Sequence, residues 1–174
     1  MKLSTSCRSL SVLFILFSAA VMAPAQSGPS APSARASLRI SGEVERQLNL
    51  SGDELAKLPR RTLRAKDHHG QESEFEGVPL VEVLQLAGVE FGEGLRGKNL
   101  ALYLVVEASD GYRAVYALPE LDPAYTDKTI MLVDKRDGKA LDAKEGPLRI
   151  VVPDEKMHAR WVRQVTGLVI RRAQ

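Results

Sequence analysis

The sequence predicts a mixed domain of the α+β class, in which many short strands are combined with two or three short helices. Three segments carry this prediction. Residues Arg60–Lys66 alternate between polar and smaller or apolar side chains, as a strand does. Residues Pro79–Gly88 have the spacing of an amphipathic helix, and Leu100–Val106 form a nearly continuous apolar run.

The first elements are short. Leu38–Ser41 and Leu48–Leu50 read as strands. The sequence Ser51–Glu54 is a capping box, so it predicts a helix that runs through Leu58 and stops before Pro59.

The strand at Arg60–Lys66 is expected to point Leu63 and Ala65, together with Arg61, away from its polar face. Asp67–Gly70 then forms a loop, and Ser73–Glu76 leads into Gly77, Val78 and Pro79.

The helix that follows begins at Pro79, because proline suits the first helical turn, and ends at Gly88. Its apolar stripe at i, i+3, i+4 and i+7 consists of Leu80, Val83, Leu84 and Ala87. Glu90–Lys98 is predicted to be a polar loop.

The second half is strand-rich. Leu100–Val106 is expected to be a central strand buried on both faces. Asp110-Gly111 and Asp137-Gly138 predict turns, and Pro119–Tyr125 predicts a short helical or turn segment. The further predicted strands are Tyr112–Ala117, Thr129–Val133, Lys139–Leu141, Leu148–Val152 and Val165–Ile170.

The N-terminus has the layout of a secretory signal peptide over residues 1–25. Lys2 and Arg8 precede the apolar stretch Ser9–Met22, and Ala23–Ala25 is a cleavage-type sequence. The alternative is an uncleaved anchor. A flexible linker is expected over residues 26–35, followed by one domain over residues 36–174. We therefore expect a periplasmic or secreted protein with no stable membrane span after cleavage.

Charge and cysteine content narrow the function classes. The chain has 24 basic and 22 acidic residues, and without Lys2 and Arg8 the count is 22 against 22. This neutrality argues against nucleic acid as a partner. Cys7 is the only cysteine, so the predicted mature chain has no disulfide, thiolate ligand or cysteine nucleophile.

Lys156–Gln164 contains basic residues and no acid, so Arg160 and Arg163 are candidates for binding a small anion. The alternative is ordinary surface charge. His68, His69 and His158 have no spacing that supports a metal site, and none is predicted.

Several segments, in this order, resemble the molybdopterin-binding domain of the sulfite oxidase family. The resemblance covers roughly Leu38–Ile170. It is carried by Thr62–Ala65, Gly77–Leu80, Ala87-Gly88, Asp110–Tyr112, Leu118–Leu121, Ile130–Leu132, Asp137–Leu141, Gly146–Pro153 and Arg160–Arg163.

The resemblance implies the same fold and a molybdopterin cofactor, and it places Arg64, Ala65, Tyr112, Arg160 and Arg163 around the cofactor cleft. In the family, the position of Ala65 carries the cysteine that binds molybdenum. Alanine offers no ligand. The absence of a twin-arginine signal also favours export of an unfolded chain, before any cofactor is inserted.

The preferred hypothesis is an exported, non-catalytic binding module without a cofactor, whose partner is a small anion, a pterin-like molecule or a protein. One alternative is a molybdopterin oxidoreductase with a thiolate-free site. Another is an accessory subunit of a redox system. No catalytic residue and no metal ligand is assigned.

Overall fold

The structure is a computed structural model that describes residues 37–67 and 69–174. The predicted signal peptide and linker, and His68, lie outside the described residues. Within the described part of the chain, no helix is long and apolar enough to cross a membrane.

The domain is built from two sheets. The first has the strand order β2-β1-β10-β5-β6, and the second has the order β3-β4-β7-β8, with β9 pairing with β7. Strand β1 runs parallel to β10, and the remaining pairs are antiparallel. The strands are β1 Ser37–Gly42, β2 Leu48–Ser51, β3 Arg61–Lys66, β4 Glu72–Pro79, β5 Leu102–Ala108, β6 Arg113–Ala117, β7 Met131–Arg136, β8 Lys139–Ala140, β9 Arg149–Val151 and β10 Val165–Arg172.

The two α-helices are α1, Gly52–Ala56, and α2, Leu80–Gln85. The capping box predicted before α1 is present, because the Ser51 side chain accepts from the Glu54 N–H and the Glu54 carboxylate accepts from the Ser51 N–H. Helix α2 is shorter than its apolar stripe predicts. Four 3₁₀ turns occur among the described residues, at Gly92–Gly94, Gly97–Ala101, Leu118–Glu120 and His158–Arg160.

Several further boundaries differ from the prediction, and helix α1 ends at Ala56 rather than Leu58. The segment predicted as the loop Glu90–Lys98 contains one 3₁₀ turn and the start of another. Strand β5 begins two residues later than the apolar run, at Leu102, and Leu100 is 46% exposed. The apolar run correctly predicted the buried centre of this strand, Leu104 to Val106, but it did not predict the residue at which the strand begins.

The core is one cluster that both sheets line. The first sheet contributes Leu38, Ile40, Leu104 and Leu168, all fully buried. The second contributes Phe75, Val133 and Ile150, also fully buried. Since β9 lies in this core, its first residue brings the charge of Arg149 into a buried position.

Candidate functional site

Ala65 lies on the buried face of β3. It is 7% exposed and pairs in register with Ser73 of β4. Leu63 is on the same face, two residues earlier, and Phe75 of β4 is its partner in register. The predicted inward direction of Leu63 and Ala65 is therefore confirmed, while Arg61 is exposed at the start of the strand.

A cavity of about 530 Å³ opens beside this corner of the domain. We call it the Arg149 cavity. It lies between the residue after β3, the turn from β5 to β6, the start of β9 and the segment that precedes β10. Its lining residues are Asp67, Asp110, Tyr112, Glu145, Arg149, His158, Ala159, Trp161, Val162 and Arg163.

Arg149 is the buried cation of this cavity. The residue is 6% exposed, and its Nη1 donates to Glu145 Oε1 at 2.6 Å. Its guanidinium lies 5.3 Å from the ring centre of Trp161 and 5.9 Å from that of Phe75, within the range of cation–π contact.

The guanidinium of Arg149 is only partly satisfied. Its Nε is buried with no hydrogen-bond partner, and its Nη2 makes no hydrogen bond to any described residue. Burial lowers the pKa of Arg149, and attraction to Glu145 only partly offsets this effect. A buried donor without a partner costs about 1–3 kcal/mol, so an anion in the cavity would find a cation with hydrogen-bonding capacity to spare.

A second arginine connects the cavity to position 65. Arg136 donates from Nε to Ser73 Oγ at 2.9 Å, and its Nη2 lies 3.5 Å from Asp67 Oδ2. Burial opposes the charge of Asp67, but hydrogen bonds from the N–H groups of Gln71 and His69 hold its pKa below the ordinary value. The side chain opposite Ala65 is thus engaged in a polar network.

Two aromatic side chains shape the cavity wall. Tyr112 is 48% exposed, and its hydroxyl donates to the carbonyl of Ala159 at 2.8 Å. Trp161 is 4% exposed and donates from Nε1 to the carbonyl of Val152, also at 2.8 Å. Trp161 is therefore mainly a core residue with one edge on the cavity, and Tyr112 is the aromatic ring available at the rim.

Arg163 is the exposed cation of the cavity. It makes no hydrogen bond or ion pair with the residues that the structure describes. Of the five residues that the resemblance places around the cofactor cleft, Tyr112 and Arg163 line this cavity.

Arg160 does not join them. Its guanidinium forms ion pairs with Glu155 and, at 2.8 Å, with Glu120, and lies 4.9 Å from the ring centre of Tyr116. Burial opposes its charge, yet the hydrogen bonds to Glu120 and Glu155 raise the pKa of Arg160. Arg160 lines a separate cavity with these two acids, so it is already neutralised where it lies.

Arg64 also lies apart. Its side chain is 72% exposed on the outer face of β3, 3.7 Å from Glu72 and 3.8 Å from Glu74 across the ladder. It is not among the residues that line the Arg149 cavity.

Sequence reasoning missed Arg149, although a signal was present. The run Leu148–Val152 was interpreted as a buried strand, and it contains one arginine among apolar residues. An arginine in a buried strand needs a counter-charge or hydrogen-bond acceptors, because burying an unpaired charge is costly. Such an arginine is therefore a candidate binding residue.

No group of three or more His, Cys, Asp or Glu side chains is placed to hold a metal ion, as far as the described residues go. His158 contacts Trp161, with ring centres 4.4 Å apart, and its Nε2 lies 2.9 Å from the carbonyl oxygen of Lys66.

Two sheets thus enclose one core, and the Arg149 cavity lies where the start of β9 meets the residue after β3 and the turn between β5 and β6. The chain belongs to the oxidoreductase molybdopterin binding domain family, whose model matches residues 26–174. The predicted resemblance and fold class are thereby confirmed.

The fold is also similar to a crystal structure of the sulfane dehydrogenase SoxCD from Paracoccus pantotrophus. The TM-score is 0.63 at 24% identity, and the match covers 80% of this chain and 39% of that one. The chain therefore spans about two fifths of the length of that protein. No curated protein matches the chain.

The residues present do not fit a molybdenum centre anchored as the family resemblance implies. Position 65, where the resemblance places the thiolate ligand, is a buried alanine, and its partner in register, Ser73, accepts a hydrogen bond from Arg136. Arg149 and Arg163 fit an anionic group, but they supply no metal ligand.

Proposed function

We propose that this protein is an exported, non-catalytic member of its family that binds a small anion in the Arg149 cavity. One observation carries the proposal: Arg149 is buried in the cavity wall with Nε and Nη2 free of hydrogen bonds to described residues. Arg163 adds a second cation at the rim of the same cavity.

The anion is expected to contact Arg149 and Arg163, since guanidinium groups bind oxyanions through charge-assisted hydrogen bonds. Tyr112 would cover the bound anion from the rim. Ala65 supports the non-catalytic part of the proposal, because the resemblance implies a metal-binding cysteine at this position and alanine offers no ligand. The apolar N-terminus with its cleavage-type sequence supports export.

Metal and pterin analysis tests the non-catalytic part. Protein purified from its natural source is expected to contain no stoichiometric molybdenum by mass spectrometry and no pterin fluorescence after oxidation. Stoichiometric molybdenum would overturn the proposal in favour of an oxidoreductase with a thiolate-free site.

Titration with inorganic phosphate at constant ionic strength tests anion binding. Trp161 is the only tryptophan and lines the cavity, so its fluorescence is a direct readout. Arg163→Met is expected to abolish the saturable change, and Arg64→Met is the matched control because Arg64 is exposed elsewhere. Equal responses in both variants would place the anion outside this cavity.

Cell fractionation tests export. The protein is expected in the periplasm or medium, shortened by about 25 residues, as judged by N-terminal sequencing. A full-length chain retained in the membrane fraction would indicate the uncleaved anchor instead.

A further inference from the structure

The Arg149 cavity contains acceptors as well as cations. Glu145 is ion-paired with Arg149 and Asp67 with Arg136, so each of these carboxylates already has a cation partner. Asp110 differs from them, because it forms no ion pair with a described residue. Its Oδ1 accepts from the N–H of Tyr112 at 2.9 Å, while its Oδ2 has no hydrogen-bond partner among the described residues.

Asp110 is exposed in the turn between β5 and β6, and it lines the cavity together with Arg149 and Arg163. An anion drawn in by the two arginines would therefore lie near a carboxylate with an unused acceptor. This arrangement repels an anion with no hydrogen to donate, and it accepts a hydrogen bond from an anion that still carries one.

We propose that Asp110 makes the cavity selective for a tetrahedral oxyanion that carries an O–H, such as hydrogen phosphate, over a fully ionised oxyanion such as sulfate. The inference rests on the proposed function and adds the class of ligand. Arg149 and Arg163 provide the attraction, and Asp110 provides the discrimination. Phosphate and sulfate have the same shape, so the O–H is the main difference between them.

The expected selectivity is about tenfold or more, because only the protonated anion makes a charge-assisted hydrogen bond to Asp110 while the fully ionised anion is repelled by it. The site binds the protonated form of the anion, and no covalent bond is made or broken.

The test compares the dissociation constants of inorganic phosphate and inorganic sulfate by Trp161 fluorescence and calorimetry, at neutral pH and fixed ionic strength. The unaltered protein is expected to bind phosphate at least about tenfold more tightly. In Asp110→Asn the ratio is expected to fall to within about threefold, because the amide can donate to sulfate. The amide also keeps the carbonyl that accepts from Tyr112.

Asp127→Asn is the matched control, since Asp127 is an exposed carboxylate that lines a different cavity. It is expected to leave the ratio unchanged. Circular dichroism and the midpoint of thermal unfolding show whether each variant is folded.

The outcomes separate the two proposals. If neither anion binds the unaltered protein, the proposed function fails, and this inference fails with it. If both anions bind equally, anion binding stands and the inference is overturned. If Asp110→Asn keeps the full preference for phosphate, Asp110 does not discriminate and the inference is also overturned.

Discussion

Arg160 and Arg163 are three residues apart in the sequence, yet they lie in different surroundings. Arg160 is held by Glu120 and Glu155 and lies over the ring of Tyr116. Arg163 is exposed beside the Arg149 cavity and pairs with no described residue. Between them, Trp161 and Val162 are buried. The two arginines lie on either side of these core residues.

The difference teaches that the partners of a cation, not its position in a basic segment, decide whether it is available to a ligand. We call the surroundings of Arg160 the paired region. There, all three guanidinium nitrogens of Arg160 donate hydrogen bonds to Glu155 or Glu120, although Glu155 Oε2 is buried without a hydrogen-bond partner. In the Arg149 cavity, donors remain unused, and the following substitutions test this contrast in order of expected effect.

The largest effect is expected for Phe75→Ala. Phe75 is fully buried and lies against Trp161 and Arg149, with ring centres of Phe75 and Trp161 5.8 Å apart. Its loss should lower the free energy of unfolding by about 3–5 kcal/mol, measured by urea denaturation. Phe75→Leu is the control, with a loss of less than about 1.5 kcal/mol expected. A loss below about 1 kcal/mol for Phe75→Ala would mean that the core around Phe75 is not tightly packed.

Arg149→Met is expected to lower the free energy of unfolding by about 2–3 kcal/mol, because Glu145 loses its closest partner in a largely buried position. The double variant Arg149→Met/Glu145→Gln should recover most of this loss, since no unpaired charge is left. Urea denaturation of both single variants and the double variant measures the coupling. Additive losses would show that the pair is not energetically linked.

Arg160→Met is expected to cost about 1–2 kcal/mol in urea denaturation, less than a fully buried pair because the side chain is 34% exposed. It should leave the dissociation constant for phosphate unchanged, because Arg160 lies outside the Arg149 cavity. A weakened affinity at full stability would contradict the separation of the two regions.

The paired region should also make stability sensitive to high pH. Burial raises the pKa of Tyr116, whose hydroxyl donates to the carbonyl of Arg160. The unfolded chain then releases this proton near pH 10 while the folded chain keeps it, so stability falls as pH rises above that value. A decrease of about 1 kcal/mol is expected between pH 9.5 and 11. The measurement is urea denaturation across this range, and Tyr116→Phe should remove the decrease; an unchanged slope would contradict the assignment.

The smallest effect on stability is expected for Arg163→Met, which should change the free energy of unfolding by less than about 0.5 kcal/mol because the side chain is exposed and unpaired within the described part. Phosphate affinity should nevertheless be lost. Loss of stability comparable to that of Arg160→Met would show that Arg163 is a structural cation instead.

Much of the fold was predictable because it depends on local patterns. The capping box at Ser51–Glu54 and the inward side of β3 at Leu63 and Ala65 were confirmed. Boundaries were less accurate, as in β5, because the ladder with β10 and β6 decides where pairing begins. Only part of the predicted site is assembled, since Arg64 and Arg160 point toward acids that other segments supply.

The sequence by itself determined the family, the absence of a cysteine at position 65 and the burial of the strand that contains Arg149. Tertiary structure decided which charges are neutralised. Glu120 and Arg160 form an ion pair although they are 40 residues apart in the sequence, and Asp67 and Arg136 form one although they are 69 residues apart. Such pairings depend on how the two sheets bring distant segments together. That Arg149, Arg163 and Asp110 line one cavity therefore became visible only in the folded chain.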